Sequence, residues 1–325
     1  MTHRQHSEPS AAAGGGAAPH ASAAPHAAAA APHAGTPASP PHAATPRVAA
    51  TVPHASATPR TATPRAAAPA PTRLTCFVRA LRAEALKGKR GGARKVALVA
   101  PLPFCLLGLY SSGVLGGGAI GGFATVGWNY WYALMLPIAV SLLTASVANR
   151  DARQKLRPVL GLPLPPACVW WAKVACALAL AFAANLVVLA ASIIARHAGS
   201  GAPSLPAGLA ICIFLTLASA WMVPAGLALA TRLGTLAGIA LPALVQLGCG
   251  IALWSNGLWY LFPPATALRA VSPLAGVAPS GVPLAAGDPL GTFGWQTGAG
   301  LAIAAALFAA LACAGARWFA RREAA

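Results

Sequence analysis

The residue types that could bind a metal or act as nucleophiles are scattered through this chain. Seven cysteines occur singly, with no CxxC pair and no nearby histidine. This spacing indicates that the cysteines serve as small apolar residues within or beside helices. Metal binding or a disulfide framework is the minor alternative. Seven of the eight histidines lie irregularly within residues 1–72, without Cys or carboxylate partners, so metal binding there is again the minor alternative. The eighth, His197, is predicted at the end of a span as an interfacial residue.

Groups for acid–base or phosphate chemistry are equally sparse. No GxxxxGK(S/T) motif occurs, so the chain is not expected to hydrolyse ATP. The apolar stretches contain no His, Asp or Glu, which removes the usual ligands and proton carriers of an intramembrane site. We therefore expect no catalytic residue, no metal and no directly bound cofactor. A membrane-embedded enzyme and a non-transporting scaffold remain the alternatives from other classes.

Two amides, Asn185 and Gln246, lie inside apolar stretches. Each can form hydrogen bonds between helices, or it can line a path for a substrate. The sequence leaves both alternatives open.

The densest charged cluster lies between two apolar stretches. Its charged residues are Arg150, Asp151, Arg153, Lys155 and Arg157. This run is compatible with a short helix, and four prolines between residues 158 and 166 interrupt any helix after it. A polar helix placed between two spans offers a surface on which a motor subunit can act. An ordinary positively charged connection that sets topology is the alternative.

Composition places these residues in a membrane protein. Apolar residues make up 57% of the chain and charged residues only 9%, and the mean hydropathy is +0.64. Soluble proteins carry roughly 25% charged residues, so the solvent of this chain must be largely lipid. The net charge of +18 does not indicate nucleic-acid binding, because the basic residues lie beside the apolar stretches and in the N-terminal region.

Six apolar stretches are each long enough to cross about 30 Å of hydrocarbon. They are residues 95–115, 130–149, 171–195, 207–230, 233–254 and 297–318. Seventeen Lys and Arg residues flank them on one side, against Arg196 and Arg269 on the other. The sequence therefore predicts an all-α membrane protein with six transmembrane helices and cytoplasmic N- and C-termini. Residues 255–296 are predicted outside, either as a gate or lying on the bilayer.

Two segments precede the six-helix domain of residues 95–322. Residues 1–72 are rich in Ala, Pro and His and have few side chains to bury, which predicts a disordered tail. A misassigned translation start, with synthesis beginning near Val78, is the alternative explanation of this tail. Residues 73–94 are predicted as a basic amphipathic helix in the membrane interface, with its apolar stripe at Leu74, Phe77, Val78, Leu81 and Ala85.

Four segments carry a resemblance to a known family. They are FVRALRAEALKGKR (77–90), WNYWYALMLP (128–137), NRDARQKLRPVLGLPLPPACVWWAK (149–173) and LWYLFPPATALR (258–269). The first, with its AE-x-LK core, is similar to the amphipathic start of type-2 ABC export permeases. The others resemble the lantibiotic-immunity branch of that superfamily, including its first cytoplasmic loop with the W-x-AK ending. The resemblance covers residues 74–322.

This resemblance implies a complex in the bacterial cytoplasmic membrane. Two permease chains, alike or paralogous, would pair with two copies of a separate ABC ATPase, which binds the ATP and Mg. The charged run from Arg150 to Arg157 would dock on that ATPase, and the complex would expel a lantibiotic-like peptide for self-protection. Export of another drug or lipid by the same fold is the alternative. Asp151 stands where the family more often has Glu, and the N-terminal tail is additional.

Overall fold

A computed structural model describes residues 72–116, 121–152 and 165–323. All named secondary-structure elements in these ranges are helical, and their one β contact is an isolated bridge between Val277 and Pro283. The predicted all-α class is therefore confirmed for these ranges. The predicted tail, apart from Thr72, lies outside the described residues.

Six segments are long and apolar enough to cross a membrane, as predicted. Numbered here as spans 1 to 6, they are Gly92–Ser111, Ala124–Arg150, Pro166–His197, Leu205–Arg232, Thr235–Leu253 and Trp295–Arg321. The helices, in chain order, are α1 Arg73–Lys87, α2 Gly92–Val99, α3 Leu102–Ser111, α4 Leu136–Ala152, α5 Pro166–His197, α6 Leu205–Ser219, α7 Met222–Arg232, α8 Thr235–Leu253, α9 Pro263–Arg269, α10 Ser272–Ala275 and α11 Trp295–Glu323.

The helix that precedes the spans, α1, packs against α5 through a face of small residues. Thr72 caps it, because the Thr72 hydroxyl accepts a bond from the Thr75 N–H at 3.3 Å. The buried residues of α1 are Cys76, Ala80 and Glu84, one helical turn apart. Leu74 and Val78 of the predicted apolar stripe are 71% and 52% exposed, whereas its other members, Phe77, Leu81 and Ala85, are partly buried.

The predicted amphipathic segment 73–94 is divided in the structure. After α1 ends at Lys87, a 3₁₀ turn covers Gly88–Arg90, and Gly91 is extended with φ −82° and ψ 151°. The next helix, α2, begins at Gly92 and is already part of span 1. This extended residue ends the helical path of α1 and separates it from the first span.

Several spans are interrupted where proline or repeated aromatic residues occur. Span 1 breaks at Pro101, and span 4 breaks at Ala220 and Trp221, just before Pro224. Span 2 contains two π-helical turns, Ala124–Trp128 and Trp131–Met135, before α4. Such turns occur mostly as local bulges, often at functional sites.

The connection between spans 4 and 5 lies after the predicted one. Thr231 and Arg232, predicted as the connection, belong to α7, and the chain turns instead at Leu233 and Gly234. Gly234 has a φ of 96°, in the region that favours glycine. Thr231 is still helical, and its hydroxyl donates to the Leu227 carbonyl at 2.9 Å in the preceding turn.

Contacts between span ends define two sides of the bundle. On the side that carries α1, called the terminal side below, Asn149 at the end of span 2 donates to Thr235 at the start of span 5 at 2.9 Å. Arg232 at the end of span 4 lies 4.3 Å from the ring centroid of Trp318 near the end of span 6. The ends of spans 2, 4 and 6 and the start of span 5 therefore lie on this side, as expected when consecutive spans run antiparallel.

The long segment between spans 5 and 6 lies on the opposite side and is folded into the bundle. Its helix α9 packs against spans 4, 5 and 6, and every residue from Pro263 to Leu268 is buried. The close approach requires Gly300 in span 6, where a Cβ would lie 2.7 Å from the Thr266 hydroxyl. The part of this segment next to the spans is therefore integral to the fold and does not merely lie on its surface.

Candidate functional site

A buried ionic cluster joins α1 to the ends of spans 2 and 3 on the terminal side. At its centre, the Glu84 carboxylate oxygen Oε1 accepts from the Lys173 ammonium at 3.2 Å and from the Lys87 ammonium at 3.3 Å. The side chains of Glu84 and Lys173 are only 2% and 6% exposed, whereas that of Lys87 is 29% exposed. The pair with Lys173 is therefore a buried salt bridge between residues 89 positions apart.

Arg150, at the end of span 2, adds a second connection to the same residue. Its Nη1 donates to the Glu84 backbone carbonyl at 3.4 Å. Its guanidinium lies over Gly88, where a Cβ would approach Nη1 to 2.9 Å. A side chain at position 88 would therefore require the Arg150 guanidinium to shift.

The cluster retains unused hydrogen-bonding capacity. Glu84 Oε2 and Arg150 Nη2 are both buried, and neither has a partner among the described residues. A buried charged group that is incompletely paired is costly. Glu84 Oε2 can therefore still accept a hydrogen bond, and Arg150 Nη2 can still donate one.

Small residues allow α1 to approach α5 closely enough for this salt bridge. Cys76 and Ala80 are each 3% exposed and lie on the same face of α1 as Glu84. On the other side of span 3, Gly315 of span 6 lies directly against the indole of Trp170, whose Nε1 donates to the Ala312 carbonyl at 3.0 Å. The start of span 3 is thus held on both sides.

The predicted charged cluster is only partly within the described residues. Arg150 is brought to Glu84, and Asp151 is described as a helical residue at the end of α4, without a description of its side chain. Arg153, Lys155 and Arg157 lie outside the described residues. The described residues stop at Ala152 and resume at Pro165. Arg150 lies just before this interval, and Lys173 follows it within span 3.

Sequence reasoning did not identify Glu84 and Lys173 as a pair. Both residues fall inside the quoted segments, at the AE-x-LK core and the W-x-AK ending. One feature of the sequence could have pointed to this pair: Glu84 and Asp151 are the only acidic residues between positions 9 and 287. A lone carboxylate on the small-residue face of a basic helix indicates a buried partner.

Asn185 is placed in a hydrogen-bonded contact among three spans. It is fully buried, its Oδ1 accepts from the Trp131 indole at 2.9 Å, and its Nδ2 donates to the Thr216 hydroxyl at 3.1 Å. Both ends of the amide are therefore engaged, across spans 2, 3 and 4. This geometry favours the helix-packing alternative for Asn185.

Gln246 takes part in an analogous contact between spans 4 and 5. Its Oε1 accepts from the Trp221 indole at 3.0 Å, and the residue is 5% exposed. A further indole, that of Trp128, donates to the Ser192 hydroxyl at 3.0 Å. Indole N–H groups paired with polar side chains of a neighbouring span are thus a recurring device of this bundle.

No cluster of three or more His, Cys, Asp or Glu side chains with a metal-binding arrangement occurs in the part of the chain that the structure describes. Comparison of the chain with models of protein families, with curated proteins and with solved structures found no match.

Proposed function

We propose that this chain is the membrane-spanning permease subunit of an ATP-driven exporter, with a separate ABC ATPase bound to the terminal side. The segment from Arg150 to Arg157 is the proposed ATPase contact. The six spans supply the membrane domain, and the four segments similar to type-2 export permeases supply the family hypothesis. ATP and Mg belong to the partner ATPase, and the chain itself carries out no chemistry.

The observation that carries this proposal is that Glu84 binds one residue on each side of the undescribed residues 153–164, namely Arg150 at the start of the proposed contact segment and Lys173 in span 3. Lys173 binds the Glu84 carboxylate at 3.2 Å, and Arg150 binds its backbone carbonyl at 3.4 Å. A force applied to the segment is therefore delivered to α1, span 2 and span 3 together. Removing one partner of such a buried pair costs about 3–5 kcal/mol, so the salt bridge couples α1 to span 3, and the Arg150 bond adds span 2 to this connection.

Transport requires a second arrangement, and the cluster contains the atoms for one. Glu84 Oε2 and Arg150 Nη2 lack partners among the described residues. In the proposed cycle, closure of the ATPase moves the segment and brings Arg150 onto the Glu84 carboxylate. ATP favours this state only to the extent that the ATPase makes different contacts with the two states.

The remaining parts of the proposal come from charge distribution and resemblance. The excess of Lys and Arg favours cytoplasmic termini, so the terminal side faces the cytoplasm of a bacterial cell. A second permease chain, alike or paralogous, completes the complex. The substrate class, a lantibiotic-like peptide expelled from the membrane, rests on the resemblance.

Co-purification of the ATPase tests the proposed contact. Asp151→Arg reverses a charge in the segment while retaining every Lys and Arg that sets orientation, so membrane insertion should persist and ATPase binding should fall. Asp288→Arg, in the segment on the opposite side, makes the same charge change and is the control. Equal ATPase recovery with Asp151→Arg, Asp288→Arg and the unsubstituted chain would contradict the assignment.

A further inference from the structure

A small polar cavity lies on the opposite side of the bundle, between the end of α9 and the start of span 6. Its volume is about 180 Å³, and its polar lining comes from Arg269, Thr292, Gln296 and Thr297. At about 30 Å³ per molecule, this space equals roughly six waters. It can hold a phosphate-sized group and its ester linkage.

Arg269 provides a cation at this cavity. Its Nη1 donates to the Trp254 carbonyl at 3.0 Å, and its guanidinium carbon lies 5.3 Å from the ring centroid of Trp259. No carboxylate among the described residues lies within salt-bridge distance of Arg269. Burial lowers the pKa of Arg269, and the charge of Asp288 opposes that shift. The group stays charged, because the ordinary pKa of a guanidinium is far above neutral pH. Its other N–H groups remain available to an anion.

The start of span 6 provides further donors. Gln296 and Thr297 belong to the first turn of α11, a helix of 29 residues, where backbone N–H groups and the helix dipole favour an anion. Thr297 is 8% exposed, it lines the cavity, and its hydroxyl has no hydrogen-bond partner among the described residues. The Thr297 hydroxyl is therefore available to donate to a group that occupies the cavity.

We propose that this cavity binds the phosphate group of an anionic phospholipid. Arginine binds phosphate oxygens in a forked, charge-assisted geometry, and the Thr297 hydroxyl supplies an additional donor. The position of the cavity favours lipid over a soluble anion, because its lining residues Gln296 and Thr297 lie at the start of span 6, a segment long and apolar enough to cross a membrane. Tyr260 and Trp295, whose ring centroids are 5.2 Å apart, lie beside it, and such aromatic residues collect at the level of the headgroups. The proposal does not depend on the exporter function.

Native mass spectrometry of the full chain, purified in detergent and titrated with phosphatidylglycerol, tests this site. Arg269→Gln should weaken the tightest lipid-binding event about tenfold or more, because it removes a charge-assisted bond. Thr297→Val, which is nearly isosteric, should weaken it severalfold. Arg196→Gln is the matched control, since Arg196 is the other basic residue predicted on this side, is exposed and donates to the Ala202 carbonyl at 3.1 Å.

The outcomes separate the sources of the anion. Equal lipid affinity in the unsubstituted chain and in folded Arg269→Gln overturns the proposal. If Arg269→Gln does not fold, the lipid affinities of Arg269→Lys and Thr297→Val are compared with that of the unsubstituted chain. Unchanged affinity in both variants likewise overturns the proposal. Competition by inorganic phosphate at the same concentration as phosphatidylglycerol would assign the cavity to a soluble anion and overturn the lipid assignment.

Discussion

Replacing Glu84 by alanine should release α1 from span 3. The salt bridge with Lys173 is buried, so removing one partner costs about 3–5 kcal/mol. The bond with Lys87 contributes only about 0–1 kcal/mol, because the Lys87 side chain is 29% exposed. Most of the loss therefore comes from a single buried contact, and it falls on the docking of α1.

The native Cys76 thiol reports this docking. It lies on the docked face of α1 and is 3% exposed. In a variant whose other cysteines are replaced, maleimide labelling of Cys76 requires local opening of α1. Since every 1.4 kcal/mol is tenfold, Glu84→Ala should accelerate labelling at least about a hundredfold.

Two further variants test the same reasoning. Lys173→Met should accelerate labelling nearly as much as Glu84→Ala, and the double variant should lose less than the sum of the single losses, because the residues are in contact. Lys87→Met is the control and should change the rate less than about fivefold. Equal effects of Lys87→Met and Lys173→Met, or a labelling rate in Glu84→Ala close to that of the unsubstituted chain, would refute the assignment of the buried bond.

Three more predictions concern the fold and its orientation. Asn185→Ala should lower the free energy of unfolding in mixed micelles by about 0.6–1.7 kcal/mol, without altering which peptides are expelled; a changed peptide preference would contradict a packing role. A cysteine at Val282, which is 60% exposed, should react with an impermeant reagent in intact cells, whereas one at Arg322 should not. A chain that begins at Pro71 should insert and function like the full chain, and loss of its insertion at matched expression would contradict this. A chain that begins at Thr75 lacks the Thr72 cap, so its α1 should be about 1 kcal/mol less stable.

The spans were predictable because lipid imposes one simple requirement on sequence. A segment that crosses hydrocarbon must satisfy its own backbone and remain apolar for about 20 residues, and composition reveals this directly. The same reasoning could not predict the fold of α9. Pro263 and Pro264 look like loop residues, yet they begin a buried helix, because proline is tolerated in the first turn.

The candidate site was less predictable because it depends on contacts that are distant in sequence. Glu84 and Lys173 meet only after α1 turns back against the start of span 3, and composition does not contain that turn. The partners of Asn185 and Gln246 posed the same difficulty. Their indole donors, Trp131 and Trp221, become visible only when the packing order of the spans is known.

The most direct test of the exporter proposal is the removal of a membrane-bound peptide in an ATP-dependent manner. Cells that produce this chain together with its ATPase would be loaded with a fluorescent cationic lantibiotic-like peptide, and cell-associated fluorescence would be measured over time. The proposal predicts that fluorescence falls faster than in cells with either protein alone, and that a substitution of the ATPase's phosphate-binding lysine abolishes the difference. Unchanged retention of peptide, with both proteins present and associated in the membrane, would contradict the proposed function.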